Sequence, residues 1–182
     1  MGFWRLETNF MACLTICKYP DPGLLKKAKP VKEIDASLLK MIEDMIETMY
    51  TAPGIGLAAT QVGRPIRLIV FDVTPRDQDR KPTVLINPEI IEAEGEQIME
   101  EGCLSVPEYY SDVKRNAKVI VRGLDPEGKP VEICGEGILA TVLQHEIDHL
   151  DGILFIDRIS ALKRTLYKKR VQKKLKKEEE ES

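Results

Sequence analysis

Hydrophobic residues recur at helical spacing in three parts of the chain and at strand spacing between the first two. Leu38, Leu39, Ile42, Met45, Ile46 and Met49 form an i, i+3, i+4 stripe, which predicts an amphipathic helix capped by Asp35 and ended by Pro53-Gly54. From Gly137, the residues Ile138, Leu139, Val142, Leu143, Ile147 and Leu150 recur with a period near 3.6, and Gly152 is a stop signal. Apolar residues dominate this second segment, so it is expected to be a largely buried helix. A third, basic helix is expected from Arg158, with Ile159, Leu162, Leu166 and Leu175 on the side that docks. Between the first two helices, Arg67–Val73, Thr83–Ile86, Glu89–Ala93 and Lys118–Leu124 read as strands. The turn Asp125-Pro126-Glu127-Gly128 joins the last of these to a partner at Lys129–Ile133, and Pro75–Pro82 is a polar hairpin loop. Strands gathered between two main helices predict an α+β fold with mostly antiparallel sheet.

The 182 residues suit one domain with a sizeable core, and no internal repeat or linker divides them. A content of 43% hydrophobic and 31% charged residues is that of an ordinary globular protein. No run approaches the roughly eighteen apolar residues of a membrane span. Phe10–Ile16 is apolar but short, and Lys18 and Tyr19-Pro20-Asp21-Pro22 follow where a signal peptide would carry small residues. Of the four cysteines, Cys13 and Cys17 flank a Leu14-Thr15-Ile16 segment that looks like a short strand, and they and Cys134 read as packing residues. The formal net charge of −3 hides an asymmetry: Arg158 to Lys177 hold 10 of the 27 basic residues and no acid, before a tail of four glutamates. Such a helix offers a face to RNA or another anionic surface, or is a solvated helix whose basic end suits the C-terminal dipole.

Candidate chemistry sits on the second helix, in Gln144-His145-Glu146-Ile147-Asp148-His149. His145 and His149 are the only histidines in the chain, and on a helix the i and i+4 Cβ atoms lie roughly 5–6 Å apart on one face. Two imidazoles so placed can share a divalent metal, while Glu146 is placed to take a proton from a water activated by the ion. The longer three-histidine pattern fails, because Phe155 stands at its last position and cannot ligate. Downstream glutamates lie in the polar tail, so the better third ligand is Cys103, in Glu101-Gly102-Cys103-Leu104-Ser105, placed by a loop or irregular strand. Two His and one Cys leave a fourth position open, as a catalytic site requires. Ligand count fits Zn2+, and a mixed Cys/His set also binds Fe2+, Co2+ and Ni2+. Ile138, Thr141 and Val142 lie seven, four and three residues before His145, on its side of the helix. They could wall a pocket for an unbranched apolar side chain, although core packing explains Ile138 and Val142 equally well. Gly54-Ile55-Gly56 opens a loop where backbone can approach a ligand, or is an ordinary helix-to-strand turn; it is no dinucleotide fingerprint.

Taken in order, Gly54-Ile55-Gly56-Leu57-Ala58-Ala59-Thr60-Gln61, Glu101-Gly102-Cys103-Leu104-Ser105 and Gln144-His145-Glu146-Ile147-Asp148-His149 resemble the three motifs of peptide deformylase. The resemblance begins at Met11 and covers nearly the whole chain. It leaves residues 1–10 as an N-terminal extension, 11–157 as the catalytic domain and 158–182 as the basic helix and acidic tail. It implies a central metal-binding helix surrounded by small, mostly antiparallel sheets, with a C-terminal helix. It also implies cytoplasmic removal of the formyl group from N-formylmethionine of new proteins, with Fe2+ as the ion and Zn2+, Ni2+ or Co2+ as substitutes. In that picture Glu146 is general base and acid, the Gln61 side chain and Leu104 N–H bind the oxyanion, and Ile55 and Gly56 offer backbone hydrogen bonds to an extended peptide. N-formylmethionyl peptides are the implied partners, with a ribosomal contact through the basic helix and neither membrane nor DNA. A metallopeptidase with another third ligand and a non-enzymatic ribosome-binding module are the rival classes; neither explains the first two motifs together.

Overall fold

The computed structural model describes residues 13–181; the expectation for residues 1–10 lies outside them. The first helix, α1, spans Ala36–Thr51, and the Asp35 side chain caps it by accepting from Leu38 N at 2.8 Å. Strands follow at Gly56–Ala58 (β1), Leu68–Phe71 (β2), Thr83–Glu94 (β3), Gln97–Cys103 (β4), Val106–Arg115 (β5), Lys118–Leu124 (β6) and Pro130–Glu136 (β7). Helix α2 covers Gly137–Leu150, and α3 covers Ala161–Glu180. One sheet has the order β1-β2-β3-β6-β7, and β4 and β5 form a separate hairpin. Every strand pairing is antiparallel. Among the described residues, no helix is long and apolar enough to cross a membrane.

The five-stranded sheet is covered on both faces, which explains why all four residues of β2 are buried. Leu68 and Val70 point to α1, where they meet Leu38, Ile42, Met45 and Met49. Ile69 and Phe71 point the other way, into a cluster with Ala140, Leu143, Ile147 and Leu150 of α2. Burial of each such aliphatic side chain contributes about 1.5–3 kcal/mol. The central helix is thus clamped by its apolar face, and its histidine face is turned to the β4–β5 hairpin.

Several expectations are corrected. Thr83–Ile86 and Glu89–Ala93 are one strand, β3, interrupted by a register shift between Ile86 and Glu89. Asn87 there takes φ 53° and bonds Val31 through its side chain, and Pro88 has no N–H to give. Leu14-Thr15-Ile16 is not a strand: Leu14 N donates to the Thr48 hydroxyl, and the segment joins no ladder among the described residues. Cys103 ends β4 just past a register shift between Glu101 and Cys103, as the expected irregular strand would place it, in a hairpin whose outer face is too polar to read as a strand pair. The acidic tail continues α3 as far as Glu180; Lys177 pairs with Glu181 at 3.6 Å, i to i+4. The side of α3 that docks is also different, because Leu162 and Leu166 are exposed and Tyr167 is its buried residue. With Val171 one turn later, Tyr167 packs among Tyr19, Tyr109 and Ile159, its ring centroid 4.6 Å from that of Tyr109.

Asp72, just past β2, ties α1 to the sheet by accepting from the Tyr50 hydroxyl, Thr74 N and Lys81 N. Burial alone would raise its pKa, but these hydrogen bonds outweigh it and lower the carboxyl to about 2. The folded value lies below the unfolded value of about 3.9, so this stabilisation is complete above pH ~4 and is lost as pH falls toward 2. Asp72→Asn is expected to cost about 1.5–3 kcal/mol in urea denaturation at neutral pH, the contribution of hydrogen bonds to a charged group. The variant should also lose less stability than the parent between pH 4 and pH 2. Parallel acid limbs in the two proteins would exclude this role for Asp72.

Candidate metal centre

Gly137, with φ 56°, turns the chain from β7 straight into α2. The following helix carries His145 and His149 one turn apart, with ring centroids separated by 4.9 Å. The β4–β5 hairpin crosses this face and delivers Cys103, whose Sγ lies 3.2 Å from His149 Nε2. The three potential donor atoms of Cys103, His145 and His149 lie within 4.8 Å of one another. One sulfur and two imidazole nitrogens at that spacing fit a divalent transition metal, and no other residue type is needed to complete the protein's share. Two further donors face the sulfur: Ser105 N at 3.4 Å and Gln61 Nε2 at 3.6 Å.

Gln61 is not a surface residue. It is buried in a 3₁₀ turn after β1, where its Oε1 accepts from Ala58 N at 2.8 Å. Its amide nitrogen is thereby aimed at Ser105 Oγ, 3.1 Å away, and at Cys103. Glu146 is also buried, and its Oε2 has no hydrogen-bond partner among the described residues. Room for this carboxylate comes from Gly56, where an added Cβ would stand 2.3 Å from Glu146 Oε1. The close approach expected of the Gly54-Ile55-Gly56 backbone is thus made, at Gly56, to the Glu146 carboxylate.

A cavity of about 440 Å³ opens over these groups. Gln61, Cys103, Leu104, His145 and Glu146 line it together with Ile55, Gly56, Ile138, Thr141 and Val142, while His149 lies beneath and is almost fully buried. The candidate metal, catalytic and substrate residues named from the sequence are thus at one place. The Thr141 hydroxyl is engaged by Gln97 Nε2 at 2.9 Å, and Ile138 remains part-exposed at the rim.

Sequence reasoning missed the ionic chain behind the histidines. Glu101 Oε2 lies 2.9 Å from His145 Nδ1, and Arg115 grips the same carboxylate with contacts of 2.6 and 2.9 Å. Arg115 then reaches Asp148 Oδ2 at 2.6 Å, and Arg158 pairs with Asp148 from the start of the C-terminal segment. Glu101 and Asp148 stand inside the quoted motifs, but nothing in the sequence links them to Arg115. Burial would raise the Glu101 pKa; the bonds from Arg115 and His145 override it and lower the carboxyl to about 2. Burial likewise opposes a charge on His145, yet the Cys103 and Glu101 contacts push its pKa well above the ordinary value. His149, buried and beside His145, is pushed well below it. Burial raises Glu146 to about 7, only partly opposed by His145 and Arg115.

Residues 13–165 match the sequence model of a family described as Polypeptide deformylase. A protein named Peptide deformylase from Syntrophobacter fumaroxidans is 57% identical over 166 residues, covering 91% of this chain and 98% of the relative. The crystal structure of a peptide deformylase from Legionella pneumophila superimposes with a TM-score of 0.84 at 48% identity, over 92% of this chain and 98% of that one. A class I type b peptide deformylase from Acinetobacter baumannii, described as Met-Ala-Ser bound, gives a TM-score of 0.78 at 35% identity, over 82% and 99% of the two chains.

Protein purified without oxygen is expected to carry about one divalent ion per chain. Cys103→Ser and His149→Ala each remove a donor and should abolish stoichiometric binding. Glu101→Gln keeps the shape but not the charge that orients His145, and should weaken metal affinity roughly 10–100-fold in chelator competition. Unchanged affinity in Glu101→Gln would rule out that orienting role.

Proposed function

The chain belongs to the polypeptide deformylase family, and on that premise we propose that it hydrolyses the formamide of N-formylmethionine on new polypeptides, releasing formate and a free amino terminus. The observation that carries the mechanism is the unpartnered Oε2 of buried Glu146, set beside three convergent metal donors in an open cavity. The Acinetobacter relative is described as holding Met-Ala-Ser, the peptide that deformylation of its formyl form would leave.

Cys103, His145 and His149 would hold the ion, which when bound supplies Lewis acidity that lowers the pKa of water and polarises a carbonyl. Glu146, with a carboxyl pKa of about 7, accepts the proton of the attacking water and delivers it to the amide nitrogen as the formyl C–N bond breaks. Gln61 Nε2, fixed by its bond from Ala58, donates to the carbonyl oxygen as charge develops there. The Leu104 N–H, on the turn between β4 and β5, is the second donor; each contributes a factor of about 10²–10³. Ile55 and Gly56 present backbone groups to the extended peptide, and Ile138, Thr141 and Val142 wall the space for the methionine side chain.

The resident ion in this reading is Fe2+, with Zn2+, Ni2+ and Co2+ as substitutes, because a thiolate with two imidazoles suits all four. A free thiol ligand suits a reducing compartment, which supports a cytoplasmic location. In this reading residues 11–157 are the catalytic domain and 158–182 the basic C-terminal helix and acidic tail. That helix leaves Lys168, Lys169 and Lys173 exposed, and this basic face supports a contact with ribosomal RNA.

Release of formate from formyl-Met-Ala-Ser should fall by about 10²–10⁴ in kcat for Glu146→Ala, with metal content unchanged. Parental turnover in that variant would sink the assignment. Deletion of residues 170–182 keeps the Tyr167 anchor and is expected to reduce co-sedimentation with ribosomes at low salt while leaving formate release intact. Unchanged co-sedimentation would remove the ribosomal contact.

A further inference from the structure

A second cavity, of about 240 Å³, adjoins the catalytic one and shares Pro53, Gly54 and Ile55 with it. Its other walls include Tyr50, Arg76 and Arg80. Its one carboxylate, Asp72, is already satisfied by the Tyr50 hydroxyl and two backbone N–H groups. Arg76 donates to Pro53 O at 3.0 Å, and the Arg80 guanidinium lies over the Tyr50 ring, 4.2 Å from its centroid. Among the described residues neither guanidinium forms an ion pair, and the neighbouring Asp77 and Asp79 do not line the cavity. The catalytic cavity has the opposite character, with Glu100, Glu101, Glu108 and Glu146 on its walls.

The path of a bound peptide connects the two. Gly56 is in contact with Glu146, so the formyl end lies at Gly56, and Ile55, Gly54 and Pro53 lead back from it along the chain toward the end of α1. A peptide extended beside β1 and the segment before it leaves over Gly54 and Pro53, the rim that both cavities share. We propose that the second cavity binds a carboxylate of the substrate peptide downstream of its methionine, held by Arg76 and Arg80, so that the enzyme reads charge several residues beyond the bond it cleaves. Guanidinium groups match carboxylates in shape as well as charge. The proposal rests on the deformylase reading given above.

The test uses formylated heptapeptide amides beginning Met-Ala-Ser, with one Asp, Asn or Lys placed in turn at positions four to six. At one of those positions Asp should lower KM relative to Asn by roughly twofold to fivefold, the range of a solvent-exposed ion pair, with Lys raising it and kcat unchanged. The preference should vanish at high salt and in the Arg76→Ala/Arg80→Ala double variant, which still cleaves formyl-Met-Ala-Ser at the parental rate. Comparing a neutral peptide as free acid and as amide separates a side-chain carboxylate from a terminal one, and an effect from either supports the site. Charge-blind KM at all three positions together with equal KM for acid and amide would overturn the proposal, as would a preference that survives the double variant. No formate from formyl-Met-Ala-Ser would instead overturn the deformylase reading itself, and this proposal with it.

Discussion

The buried ionic chain from His145 through Glu101, Arg115 and Asp148 is the constraint on which the site depends. It fastens the β4–β5 hairpin, which brings the sulfur, to α2, which brings the nitrogens. The hairpin is a sheet of its own and α2 is a helix, so no backbone ladder joins the two. Such pairs add little net stability, because desolvation offsets the attraction. Loss of one partner, however, leaves a buried charge uncompensated, at about 3–5 kcal/mol. The network therefore permits one arrangement of hairpin and helix and disfavours the rest.

The same burial produces opposite results at two carboxylates only a short way apart. Glu101 receives Arg115 and His145 and is held at about 2, whereas Glu146 has one oxygen without a partner and rises to about 7. One group is locked as an anion against the His145 ring. The other is poised to exchange a proton near neutral pH, as general acid–base work requires. The difference comes from their neighbours and not from residue type.

Aromatic contacts extend the support to the C-terminal helix. The His145 ring lies parallel to Phe155 with centroids 6.2 Å apart, Phe155 stacks on Tyr109, and Tyr109 meets Tyr167 of α3. Tyr109 also lines the catalytic cavity. The end of α3 that docks thus backs one residue of the cavity wall, and its far end stands in solvent with its lysines exposed.

Periodicity alone determined α1, α2 and most of the main sheet, because each buries one stripe or face and the pattern of apolar residues records that burial directly. His145, Glu146 and His149 were legible for the same reason: helical spacing converts sequence separation into geometry. Cys103 was a candidate from its setting, and the resemblance of three motifs brought in Gln61 and Leu104. Only the tertiary structure decided the rest. The β4–β5 pairing, the Arg115 link between Glu101 and Asp148, and the filling of Gly56's missing side chain by Glu146 all join residues far apart in the chain. The choice of Tyr167 over Leu162 and Leu166 likewise depended on which side of α3 found an aromatic pocket. Local patterns report which face of an element is apolar. What that face meets, and which distant charge completes a pair, is set by packing between elements.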